Sequence, residues 1–90
     1  MRKSVFVTGA AMGIGKAVAA HYADKGWHVG ITDVDEPALE SFRKEYGGKI
    51  AYSAVMDVRD EKRTAEVIAD FAQAAGGKID LFINNAGVAW

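Results

Sequence analysis

Cysteine is missing from this 90-residue chain. Its absence excludes a disulfide framework, a thiolate zinc site and a cysteine nucleophile. An excess of either charge is missing too: eleven Lys plus Arg face twelve Asp plus Glu, for a formal net charge of −1. That balance argues against sequence-blind attraction to nucleic acid or to an anionic membrane surface. No apolar run approaches the roughly 20 residues of a membrane span. The apolar run Val5-Phe6-Val7 is broken by Thr8-Gly9 before it reaches the length of a signal-peptide core. A cytoplasmic chain is expected. Half of the residues are hydrophobic and 26% are charged, as in a globular protein rather than a disordered one. The length suffices for one domain and not for two.

Proline occurs once, and with the ten glycines it divides the chain into alternating short and long segments. Val5-Phe6-Val7 is β-branched and aromatic and reads as a buried strand ending at Gly9. From Gly13 to Lys25 the larger apolar residues Ile14, Val18 and Tyr22 recur every four positions, with Ala17 beside them. This spacing predicts the buried face of a helix closed by Gly26. Trp27 to Thr32 is a second strand, ending at Asp33. Asp35 is a suitable N-cap for the next helix, with Glu36 and Pro37 in its first turn. Leu39, Phe42 and Tyr46 line that helix, and Gly47-Gly48 end it. Ile50 to Val55 forms a third strand. Asp60 caps a third helix with Val67, Ile68, Phe71, Ala72 and Ala75 on its apolar face, closed by Gly76-Gly77. Leu81-Phe82-Ile83 is the fourth strand. The order β-α-β-α-β-α-β predicts an α/β three-layer sandwich with a parallel sheet joined by right-handed crossovers. The handedness rule sets the strand order at 3-2-1-4, with two helices on one face and the third on the other.

The first strand-to-helix turn reads Thr8-Gly9-Ala10-Ala11-Met12-Gly13-Ile14-Gly15. Glycines there let the backbone turn tightly and approach a pyrophosphate, while the N-terminus of the helix faces the anion. A glycine-rich turn alone also serves any tight strand-to-helix connection. The spacing G-x-x-x-G-x-G, with Asp33 ending the second strand, Asp57-Val58 following the third and Asn84-Asn85-Ala86-Gly87 following the fourth, resembles the short-chain dehydrogenase/reductase family. The resemblance covers essentially the whole chain.

The resemblance implies a Rossmann-like fold that binds a nicotinamide dinucleotide. Gly9, Met12, Gly13, Ile14 and Gly15 would form the phosphate turn. Asp57 would receive the adenine amino group and the Val58 backbone would address the ring. The backbone around Asn85, Ala86 and Gly87 would lie along a ribose. Asp33 has a role of its own: a carboxylate at this strand end accepts the adenosine ribose hydroxyls and repels a 2′-phosphate. Together with Met12, where NADP-preferring relatives often place a basic residue, it predicts NAD over NADP. Other readings stand beside these. Asp33 also suits a turn or cap, Asp57 a loop near the third helix, and Asn84 and Asn85 a polar strand end that ties loops together.

The family's chemistry needs a tyrosine with a lysine four residues on, and an upstream serine. Here Gly26, Ile50 and Met56 stand four residues after Tyr22, Tyr46 and Tyr52. No residue inherits a catalytic role. His21 and His28 lack a second ligand at helical spacing, so no metal site is expected. Residues 1–90 therefore read as a partial NAD-binding domain, truncated after the fourth strand and inactive alone. The alternative is a structural or self-assembling fragment without appreciable nucleotide binding. Leu81-Phe82-Ile83 is apolar on both sides, so its free edge or the thinly covered sheet face is expected to join copies into a homo-oligomer.

Overall fold

The computed structural model describes residues 2–11 and 13–85. Four strands, β1 (Ser4–Thr8), β2 (His28–Asp33), β3 (Ile50–Val55) and β4 (Leu81–Asn84), form one sheet in the order β3-β2-β1-β4. All pairings are parallel. Helices α1 (Gly13–Asp24), α2 (Glu36–Tyr46) and α3 (Glu61–Ala74) connect them, and a 3₁₀ turn at Gly47–Lys49 follows α2. The expected layers and strand order are present.

Alternation along the central strands divides the core in two. Val5, Val7, Val29 and Ile31 point to the α1 and α2 side, where they meet Ala19, Ala23, Leu39, Phe42 and Ile50. Phe6 points the other way and packs with Met56, Val67 and Phe71 beneath α3. Gly30 lies opposite Phe6 across the β1–β2 pairing. A Cβ there would stand 2.6 Å from a ring carbon of Phe71. The bare backbone is therefore the seat of that ring, which stacks at a tilt on Phe6 with centroids 5.4 Å apart. Fully burying such a ring contributes roughly 1.5–3 kcal/mol.

Both expected caps are made. The Asp35 carboxylate accepts the Ala38 N–H at 3.1 Å, and that of Asp60 accepts the Arg63 N–H at 3.0 Å. Each such cap contributes about 1 kcal/mol.

The buried face of α1 differs from the expected one. Gly15, Ala19 and Ala23 face the sheet, whereas Ile14 is 76% exposed. The reason is distance: a Cβ on Gly15 would collide with the Gly9 carbonyl oxygen, so the helix start lies almost on the β1 turn. Only small side chains fit underneath. Ile14 is turned aside, whereas Val18 and Tyr22 pack part-buried at the margin of the core, and with Ala17, His21 and Ile83 the three line a shallow groove beside β4.

Candidate functional site

The carboxyl ends of the four strands bring the predicted residues to one rim of the sheet, as expected for a parallel α/β fold. At the end of β1 the chain reverses through Gly9, at φ 63°, and enters α1 through Gly13, at φ 64°. Both lie in the left-handed region that side chains oppose. Among the described residues nothing lies within 4 Å of the place where a Gly13 side chain would begin. The first turn of α1 carries no acidic residue. Exposed backbone, open approach and the positive end of a 12-residue helix suit a phosphate-bearing ligand.

Neighbouring strand ends hold this turn on both sides. The Ala10 N–H donates to the Thr32 carbonyl at 3.0 Å, and the Ala11 N–H donates to Asp33 Oδ2 at 3.0 Å. From the β4 side, Asn85 Nδ2 donates to the Gly9 carbonyl at 3.1 Å. Thr8 Oγ1 donates to Asn84 Oδ1 at 2.9 Å, tying β1 to β4 one residue before the turn. The Asn85 side chain thus acts on the first turn and that of Asn84 on the last residue of β1. Met12, Ala86 and Gly87, also named from the sequence, lie outside the described residues.

Asp33 stands half-buried at the tip of β2, beside the turn. Its Oδ1 accepts the Asp35 N–H at 3.1 Å. Asp57 and Val58 follow β3, whose end is joined to β2 by the Met56 N–H donating to the Asp33 carbonyl at 3.0 Å. Val58 packs partly against the core beneath α3.

The Asp57 carboxylate is engaged by a residue that sequence reasoning passed over. Arg59 meets it through Nη2 at 2.8 Å, through Nε at 3.1 Å and through its own backbone N–H at 2.9 Å. The side-chain bonds first, and then the backbone bond, lower the Asp57 pKa to about 2. The Asp-x-Arg spacing was the signal available for this pair.

Burial raises the Tyr52 pKa, with Asp70 adding to the rise and Arg63 opposing it. Tyr52 packs near Phe71, Tyr22 on Trp27 and Tyr46 edge-on to Phe42. Among the described residues no group of three or more His, Cys, Asp or Glu is placed to hold a metal ion, and no helix is long and apolar enough to cross a membrane.

Known proteins place this arrangement in context. The chain is 40% identical over 88 residues to a probable 2,4-dienoyl-CoA reductase of Bacillus subtilis, covering 94% of this chain and 34% of the relative. It is 37% identical over 90 residues to an (S)-acetoin-forming diacetyl reductase of Staphylococcus epidermidis, covering 98% of this chain and 35% of that one. Among solved structures, a short chain dehydrogenase from Bacillus anthracis superposes with a TM-score of 0.84 at 34% identity, over 93% of this chain and 34% of that one. An actinorhodin polyketide ketoreductase crystallised with NADPH superposes with a TM-score of 0.87 at 28% identity, over 96% of this chain and 33% of that one. The chain thus spans about a third of the length of these proteins. The short chain dehydrogenase profile itself matches residues 3–90, through the glycine turn and every strand end described above, and the chain belongs to that family.

Proposed function

We propose that residues 1–90 are the dinucleotide-binding part of an oxidoreductase that moves hydride between a nicotinamide cofactor and an alcohol or carbonyl substrate. The observation that carries this reading is the open glycine turn with the Asp33 carboxylate at its side. Gly9, Gly13, Ile14 and Gly15, with Met12 between them, would hold the pyrophosphate through backbone N–H groups. Asp33 would accept the adenosine ribose hydroxyls. Asp57 and Val58 would meet the adenine, with Arg59 yielding a carboxylate oxygen, and Asn85, Ala86 and Gly87 would border the second ribose. The cofactor, when bound, supplies the hydride chemistry. This chain binds and orients it, and lacks the tyrosine, lysine and serine that would act on a substrate.

The preferred cofactor is NAD. The ketoreductase neighbour is named with NADPH, so the choice in this chain rests on its own residues. Asp33 opposes a 2′-phosphate by like charge, and Met12 supplies no cation to attract one. The cysteine-free composition suits a cytoplasmic setting.

Titration of the 90-residue chain with NAD and with NADP, followed by tryptophan fluorescence, tests the assignment. NAD is expected to bind more tightly, and Asp33→Ala to narrow the preference. Tighter binding of NADP by the unmodified chain would overturn it. Alcohol or carbonyl turnover above background is not expected. Turnover that survives repurification and disappears in Gly13→Val would refute the inactive reading.

A second reading has its own observation. Phe82 on β4 is 44% exposed, and the outer edge of β4 has no strand partner among the described residues. A self-associating module that binds no nucleotide would use that edge or the groove beside α1, and would leave the NAD titration flat.

A further inference from the structure

The reach of Asp33 extends beyond a ribose. Both of its carboxylate oxygens are used on backbone N–H groups, Oδ2 on Ala11 at 3.0 Å and Oδ1 on Asp35 at 3.1 Å. Ala11 belongs to the glycine turn that starts α1, and its residue is buried. Asp35 is the N-cap of α2, and its own carboxylate holds the Ala38 N–H. One side chain therefore bridges the phosphate turn and the cap of the next helix. The adjacent bond, from the Ala10 N–H to the Thr32 carbonyl, joins the same segments through backbone alone.

We propose that Asp33 is a positioning residue for the glycine turn, fixing the Ala11 peptide, so that one carboxylate both selects the nucleotide and shapes the loop that binds its phosphates. The consequence for binding rests on the nucleotide reading above, whereas the geometry stands without it.

A carboxylate suits this double task. Two N–H donors converge on it from different directions, and an ionised carboxylate has about four lone-pair sites. Two remain for ribose hydroxyls while the backbone bonds persist. An asparagine has a single acceptor oxygen, and its amide nitrogen would confront an N–H donor. Alanine leaves the Ala11 N–H without this acceptor in a buried position, where an unmade hydrogen bond is costly. Exchanging Asp33 to admit a 2′-phosphate therefore removes a repulsion and loosens the phosphate turn in the same stroke.

Amide hydrogen exchange by NMR on the 90-residue chain without nucleotide tests the geometry, comparing wild type with Asp33→Asn and Asp33→Ala. In Asp33→Ala the Ala11 amide should exchange at least tenfold faster, and its proton resonance should move upfield as the charge-assisted bond is lost. Asp33→Asn should restore part of the protection at one of the two amides, Ala11 or Asp35. Ala10 and the amides of β2 should keep their protection in both variants, which also reports an intact fold. Unchanged Ala11 exchange and resonance in both variants would overturn the proposal. Titration of the same proteins with NAD and NADP tests the coupling. Asp33→Ala should weaken NAD at least tenfold while NADP gains no more than threefold. A gain that brings NADP to the wild-type NAD affinity would overturn the coupling. A wild-type chain that binds neither nucleotide refutes the functional reading, and the exchange data then decide the positioning role alone.

Discussion

At the scale of single residues, two glycines that look alike in the sequence do different work. Gly15 and Gly30 would both place a new Cβ against occupied space, but the obstacles differ. At Gly15 it is the Gly9 carbonyl, part of the strand-end turn and itself bonded to Asn85. At Gly30 it is the Phe71 ring, on a helix that can shift. Gly15→Ala is therefore expected to disturb the turn, and nucleotide affinity should fall at least tenfold. Gly30→Ala should lower stability by about 1–3 kcal/mol through overpacking and leave nucleotide affinity within threefold. Urea denaturation and NAD titration of both variants check the contrast. Asp57 offers a pH test. Its folded pKa of about 2 lies below the ordinary carboxylate value, so the Arg59 pairing is fully present above roughly pH 4 and is lost as the pH falls through 2. In Arg59→Gln the Asp57 carboxyl, followed by NMR, should titrate closer to pH 4.

At the scale of elements, β4 is the strand whose attachment depends most on a side chain. Asp80, one residue before it, accepts the Ser4 N–H through Oδ2 at 2.8 Å and donates its own N–H to the Ser4 carbonyl at 3.1 Å. Ser4 Oγ adds a bond to the Lys78 carbonyl at 2.6 Å. The Ser4 N–H above all, with smaller help from Lys78, lowers the Asp80 pKa. A lowered folded pKa stabilises above the unfolded value, and the gain disappears as pH falls through the folded one. Asp80→Asn keeps an acceptor for the Ser4 N–H and removes the ionisation. It should dock β4 near neutrality but flatten the loss of stability below about pH 4, as read by urea midpoints across pH. Asp80→Ala should instead expose the β4 amides to exchange at all pH values. This clamp was not legible beforehand, because Ser4 and Asp80 are far apart in sequence and neither belongs to a periodic pattern. The helix caps were legible, since Asp35 and Asp60 each act on an N–H three residues away.

At the scale of the whole molecule, coverage of the sheet is uneven. β1 and β2 are closed on both faces, whereas β4 has an exposed Phe82 on one side and the groove of Ile14, Val18, Tyr22 and Ile83 on the other. If the 90-residue chain associates as proposed, sedimentation at tens of micromolar should show a species heavier than 9.6 kDa, and Phe82→Glu should return it to the monomer. A monomer in the unmodified chain, with no binding of an exposed-patch dye, would count against association. Local chemistry in the sequence determined the element order, the helix caps, the glycine turn and the strand order, because periodicity, capping and crossover handedness act over short spans or by rules general to parallel sheets. Tertiary structure alone decided the face of α1, the Arg59 hold on Asp57 and the double engagement of Asp33. It also decided β3, where a register shift beside Ala51 pairs Ile50 with Val29 and Tyr52 with Gly30. Simple alternation would put Ile50 and Tyr52 on one face, yet Ile50 packs beneath α2 and Tyr52 beneath α3. The added residue reverses the facing, and only the packed neighbours on both sides of the sheet can choose where it goes.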